Sequence, residues 1–205
     1  MSDVLLPMYL VVTPLKGARA HWSLFVPNVD SAEKPPMEAV GKCLHALGQP
    51  MTGYNFAIED NLDYAMTKRN SFYIIGYISS SQLVHPISNN GQKVIRWDTF
   101  NPNDTLEKAA YAIPIPRALP VQYVSGLPSA VREKLAKTYD DPSTRRCHEW
   151  TFELVTRLVQ SHLLRGNPLA TLKQVTDAET EELANMYNWP IQYLTQKWPG
   201  LPVEV

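Results

Sequence analysis

Apolar residues in the first half of the chain run in short blocks or alternate with polar ones. In the second half they recur at spacings of three and four. Tyr9-Leu10-Val11-Val12 is an apolar run closed by Thr13-Pro14, which predicts a buried strand over 9–12. After the Lys16-Gly17-Ala18-Arg19 turn a second strand is predicted over 21–26, opening on His21 and stopped by Pro27. Residues 40–47 predict a third strand that carries Cys43 and His45, and 54–58 a fourth. Phe72-Tyr73-Ile74-Ile75-Gly76-Tyr77-Ile78 is β-branched and aromatic throughout and predicts a fifth. Residues 92–98 follow an Asn90-Gly91 turn signal and predict a further strand.

The helical pattern begins with Asp104, an N-cap residue ahead of a short helix over 104–110. Residues 116–125 read as an extended connection, and 129–138 as another short helix after Pro128. The longest helix is predicted over 142–164, capped by Ser143 or Thr144 and ended by Gly166. Its apolar face is Trp150, Leu154, Val155, Leu158 and Val159. Cys147 lies one turn before Trp150 and so belongs to the inward face. A final helix over 177–187 has an acidic first turn. Strands early and helices late define an α+β class.

Composition narrows the setting. A chain of 205 residues fits a single domain over 1–205, with a core about 9–165 and a C-terminal helical extension over 166–205. Its net charge of -1 argues against a nucleic-acid footprint or a polybasic membrane patch. No apolar stretch approaches the ~20 residues that span a bilayer. The N-terminal residues lack the basic start of a signal peptide. Cys43 and Cys147 are too few for a disulfide framework, so a reducing, cytoplasmic setting is expected. Oligomeric state is not determined by any of this.

The candidate chemistry centres on Cys147 and His21. A helix N-terminus lowers a thiol's pKa, and Arg145 and Arg146 add positive charge beside Cys147. The alternative for Cys147 is a small buried apolar side chain, which is how Cys43 reads. His21 is suited to act as the general base, or is an ordinary polar residue at a strand start. His45, if it points the same way from the next strand, could orient the His21 ring as the third member of a triad; the alternative is an ordinary strand residue. His148 follows Cys147 directly. A helix turns about 100° per residue, so His148 is expected to point away from whatever Cys147 faces. His85 and His162 read as structural or solvent-facing. Glu59, Asp60 and Asp63 read as a solvated loop rather than a metal site. There is no phosphate-binding Gly-rich loop, G-x-S-x-G elbow or zinc motif, so neither cofactor nor metal is implied.

The strand motif His21-Trp22-Ser23-Leu24-Phe25-Val26, the Leu44-His45-Ala46-Leu47-Gly48 strand and the Cys147-His148-Glu149-Trp150 helix start, taken in order, resemble a permuted papain-like group. That group comprises the lecithin:retinol acyltransferase-like proteins and relatives of NlpC-type cysteine peptidases. The chain is more similar still to a fungal domain family of uncharacterised function. The resemblance covers residues 9 to about 164 and implies a small antiparallel sheet packed on a helix that starts with the nucleophile. It also implies Cys147 as nucleophile, His21 as base and His45 as the orienting residue. Arg146 stands where the lipid acyltransferases carry Asn, and no apolar tail follows the Cys helix, so their lipid substrates and membrane anchor do not carry over.

The expected function is therefore cysteine-dependent acyl transfer or hydrolysis on a small ester, thioester or amide substrate. By analogy, this could be the tailoring or cyclisation of a fungal metabolite. Two other classes stay open: acid–base isomerisation or cyclisation at the same site without a covalent intermediate, and a non-catalytic binding module.

Overall fold

The computed structural model describes residues 3–15, 18–49, 53–65, 69–84, 92–97, 101–117 and 145–187. Its elements are β1 (Leu5–Leu15), β2 (Ala18–Pro27), β3 (Val40–Gln49), β4 (Gly53–Asp63), β5 (Ser71–Ser79), β6 (Val94–Trp97), α1 (Thr105–Tyr111), α2 (Cys147–Gln160), β7 (Leu164–Arg165) and α3 (Pro168–Tyr187). The strands form one seven-stranded sheet in the order β6-β4-β3-β2-β1-β5-β7, and every neighbouring pair is antiparallel. The expectation of a small sheet in a papain-like α+β fold is overturned. Among the described residues the sheet is the larger part of the molecule, and three helices lean on it. Hydrogen bonding joins segments far apart in sequence into one sheet, and that pairing leaves no mark in the local pattern. No helix among the described residues is long and apolar enough to cross a membrane.

Alternation sorts the strand residues onto two faces. Leu6, Met8 and Leu10 of β1, Trp22, Leu24 and Val26 of β2, Leu44 and Ala46 of β3, and Phe56 and Ile58 of β4 form the main core with the helices. Tyr9, Val11, Phe25, Cys43 and Tyr64 form a second cluster on the other face. Cys43 is fully buried there, in line with its reading as core. Helix α2 contributes Trp150, Leu154, Val155 and Leu158 to the main core, the face that the spacing of three and four predicts. Trp150 packs its ring on Phe56 with centroids 5.4 Å apart. Truncating a buried tryptophan to alanine costs on the order of 3–5 kcal/mol, so this contact is a principal anchor of α2.

Several boundaries differ from the sequence reading, each for a local reason. Pro14 does not end β1. The β1–β2 register shifts between Thr13 and Leu15, so Pro14 sits in a bulge, where its missing N–H is tolerated. β2 begins at Ala18, which places His21 within the strand rather than at its start. β4 continues to Asp63, so Glu59 and Asp60 belong to a strand and are buried. Helix α2 begins at Cys147 behind Arg146, and Ser143 and Thr144 lie outside the described residues. Its last turn ends at Ser161 and a left-handed His162 (φ 56°), well before Gly166. α3 begins at Pro168, nine residues earlier than expected, because Pro is pre-organised for a first helical turn. α1 forms as predicted, with the Asp104 carboxylate accepting from the Glu107 N–H at 2.7 Å. The helix expected over 129–138 and most of the connection over 116–125 lie outside the described residues.

One buried network ties α1 to the sheet. Lys42 Nζ pairs with Asp104 and, at 2.5 Å, with Glu107. Arg96 of β6 pairs with Glu107 at 2.5 Å and with Asp60 at 2.7 Å. A bulge in the β3–β4 ladder between Gly41 and Cys43 leaves Asn61 in the left-handed region (φ 54°), which asparagine tolerates, and keeps Asp60 on the Lys42 side. β3 approaches β2 closely at this end. A Cβ at Gly41 would run into the Val26 carbonyl and the Phe25 ring.

Candidate active site

The β2–β3 ladder runs from the Pro27–Gly41 rung to the Leu24–Leu44 rung and ends there. His21 and His45 lie beyond that last rung, and there the N-terminus of α2 meets the sheet. Cys147 is the first residue of α2 and is 7% exposed. The Glu149 carboxylate accepts from the Arg146 N–H at 2.8 Å and closes the first turn. Glu149 also pairs with Arg19 of β2 at 3.0 Å, which fastens the start of α2 to the strand bearing His21.

His148 is a base in contact with the sulfur. Its Nδ1 lies 3.8 Å from Cys147 Sγ, its Nε2 lies 3.0 Å from Glu179 Oε2, and its ring packs on Trp22 with centroids 4.4 Å apart. This corrects the expectation that His148 faces away from Cys147. The 100° step separates core from solvent only where a helix has one buried side. Here α3 covers the flank of α2 that would face water, so two successive residues are both interior. The second oxygen of Glu179 accepts the Ala20 N–H at 2.6 Å. The bulge at Pro14 interrupts the ladder opposite Ala20, and the carboxylate takes the donor instead.

His21 and His45 come together as expected, with His21 Nε2 at 3.2 Å from His45 Nδ1. His45 is buried, and its Nε2 has no hydrogen-bond partner among the described residues. The nearest acceptor is Glu59 Oε1 at 3.6 Å, an ion-pair rather than a hydrogen-bond distance. Glu59 is in turn held by Lys93 at 2.7 Å. The His21 imidazole also acts electrostatically on the Cys147 sulfur.

The electrostatics follow from these neighbours. Burial alone pushes the Cys147 thiol up, but His148 first and His21 after it outweigh this and hold it well below its usual value. Burial likewise pushes His148 down, and Arg19 adds to that, yet the Cys147 sulfur and Glu179 leave it above the usual imidazole value. Burial dominates at His45 and lowers it, with Glu59 opposing. Glu179 is held below the ordinary carboxylate value, mainly because its bond to His148 offsets burial. Burial raises the Tyr54 phenol, and the Cys147 charge adds to it, so Tyr54 stays neutral beside the site. Cys43 makes the contrast: burial lifts it to about 12, and its nearest partner is the neutral Tyr64 hydroxyl at 3.3 Å. The two thiols are not linked to each other. Among the described residues no group of three or more His, Cys, Asp or Glu side chains could hold a metal ion.

Sequence reasoning thus places Cys147, His21 and His45 together, and it misses His148, Glu179 and Glu59. An acid in the first turn of a predicted helix was the only trace of Glu179. Nothing local says that the helix returns to Cys147.

Fold and site together define an antiparallel-sheet protein with a buried cysteine–histidine pair at a helix start. The chain belongs to a family of unknown function, DUF6540, which matches residues 8–165. No curated protein and no solved structure matches the chain.

Proposed function

We propose that this protein is a cysteine-dependent acyl-transfer or hydrolase-type enzyme acting on a small ester, thioester or amide. The observation that carries the reading is a buried sulfur at a helix start with two imidazoles in reach, one of them backed by a carboxylate. The Cys147 thiolate attacks the acyl carbon and forms a C–S bond. The oxyanion that develops is met by N–H groups of the first turn of α2, which have no carbonyl partner within the helix. The bond to the leaving group breaks as His21 donates a proton to that group, leaving a thioester on Cys147. Water or a second nucleophile then gives a proton to His21 and attacks the thioester carbon. The C–S bond breaks and the thiolate returns, so the cycle closes without oxidant, metal or cofactor. His45 faces His21 throughout and fixes its ring.

Incubation with 4-nitrophenyl acetate and mass spectrometry of the intact protein tests this reading. An acetyl adduct confined to Cys147, and lost in Cys147→Ser, is expected. Ester turnover without an adduct would instead favour acid–base catalysis, and neither turnover nor adduct a binding role.

A further inference from the structure

We infer that the two imidazoles beside Cys147 have separate tasks: Glu179 fixes His148 as the standing counter-cation of the thiolate, and the moving protons of the reaction fall to His21. The inference rests on the acyl-transfer reading and adds a positioning residue to it. Glu179 comes from α3, beyond the residues 8–165 that match the family.

His148 faces the Cys147 sulfur through Nδ1 at 3.8 Å and the Glu179 carboxylate through Nε2 at 3.0 Å. A thiolate and a carboxylate both accept, so the ring between them satisfies both only when both nitrogens carry protons. Glu179 cannot turn away, because its other oxygen holds the Ala20 N–H at 2.6 Å. The His148 ring is itself buried against Trp22, and neither nitrogen is left to offer a leaving group. While Cys147 is a thiolate, loss of a proton from His148 to any group other than that sulfur would strand one acceptor in a buried site, a costly arrangement.

His21 differs in each respect. It is half-buried rather than enclosed, and its partner is another imidazole, His45 Nδ1 at 3.2 Å. Two imidazoles can exchange donor and acceptor roles, so His21 can gain or lose a proton without leaving its partner unmatched. The remaining charged or titratable groups facing this cluster are Arg19 and Tyr54 from the sheet, Arg146 and Glu149 from α2, and Glu59 behind His45. Arg19 and Glu149 are paired with each other, which leaves Glu179 as the carboxylate bonded to His148.

The test is Glu179→Gln in the full chain. The amide oxygen can still accept from Ala20, but its NH₂ group now faces His148 Nε2 and forbids the doubly protonated ring. The expected result is a rate of iodoacetamide labelling at Cys147 lowered about tenfold or more near pH 6, with its midpoint moved toward ~8.5 and the urea midpoint little changed. A labelling profile identical to wild type would overturn the inference. Should the variant not fold, nitrogen NMR of the wild-type histidines decides instead: His148 carries two protons at neutral pH, and a singly protonated His148 would overturn it. His21→Gln supplies the other half. It raises the labelling midpoint less than Glu179→Gln does but accumulates acetyl-Cys147 from 4-nitrophenyl acetate, with release slowed by on the order of 10²-fold. If His21→Gln lost the thiolate and His148→Gln kept it, the two roles would be reversed and the inference wrong. If wild-type Cys147 labelled as an ordinary thiol, the acyl-transfer reading itself would fall, a result distinct from any of these.

Discussion

Two buried clusters of charge hold the helices against the sheet, and they differ in what their charges can do. In the first, Lys42 and Arg96 meet Asp60, Asp104 and Glu107 between α1, β3, β4 and β6. In the second, Cys147, His148, Glu179, His21 and His45 meet where α2 and α3 approach β2 and β3. Both are largely buried, with Arg96 in the first and His21 in the second partly exposed. The first pairs a lysine and an arginine with three carboxylates. The second is built around a thiol and three imidazoles, the side-chain types that supply a nucleophile and carry protons. Burial is common to both, so burial does not mark the reactive site. The identity of the partners does.

This contrast breaks most strongly at Lys42. Replacing it by Met leaves the Asp104 and Glu107 carboxylates with one cation fewer, and loss of a buried partner is worth about 3–5 kcal/mol. Urea denaturation should show that loss, while the labelling midpoint of Cys147 in the folded protein stays at its wild-type value. A shift in the midpoint would mean that the clusters are coupled.

Glu107 tests the first cluster by pH. Burial opposes its charge, but Arg96 and then Lys42 outweigh that and hold it at about 2, below its ordinary value of 4.5. A carboxyl depressed on folding stabilises the protein above its unfolded value, and that contribution is lost as pH falls toward the folded value. Wild type should therefore lose on the order of 3 kcal/mol from this group between about pH 4.5 and 2. Glu107→Gln should flatten that acid limb, as read by denaturation midpoints across the window. An unchanged acid limb would contradict the assignment.

The smallest effect is expected at His45. His45→Gln keeps a hydrogen-bonding group beside His21 and removes only the tautomeric freedom of the pair, so ester turnover should fall by about tenfold or less. The iodoacetamide midpoint should not move, since the sulfur faces His148 while the His45 ring is turned to His21. A shifted midpoint would place His45 in the same charge system as His148.

What could be read from the sequence was whatever is encoded locally. Phe72 to Ile78 is rich in β-branched and aromatic residues, and it forms β5 within a residue of its expected limits. Asp104 caps α1 as its residue type predicts. Cys147, His21 and His45 were found because each sits in a short distinctive motif. Glu59 and Asp60 were misread because acids look solvated until their partners are known, and Lys42, Lys93 and Arg96 lie on other strands. His148 was misread because a helical-wheel argument assumes one buried side, and α3 provides a second. Pro14 was taken for a terminator because the bulge that accommodates it is a property of the strand pair. The extent of the sheet escaped for the same reason, since pairing between strands distant in sequence has no local mark.

The most direct test is the ultraviolet thiolate absorbance of wild type minus that of Cys147→Ser, followed through a pH titration. The charge pair of Cys147 with His148 predicts that the difference is already present near pH 6 and that it disappears only in acid. A difference that first appears near pH ~8.5 or above would show an ordinary buried thiol and contradict the account.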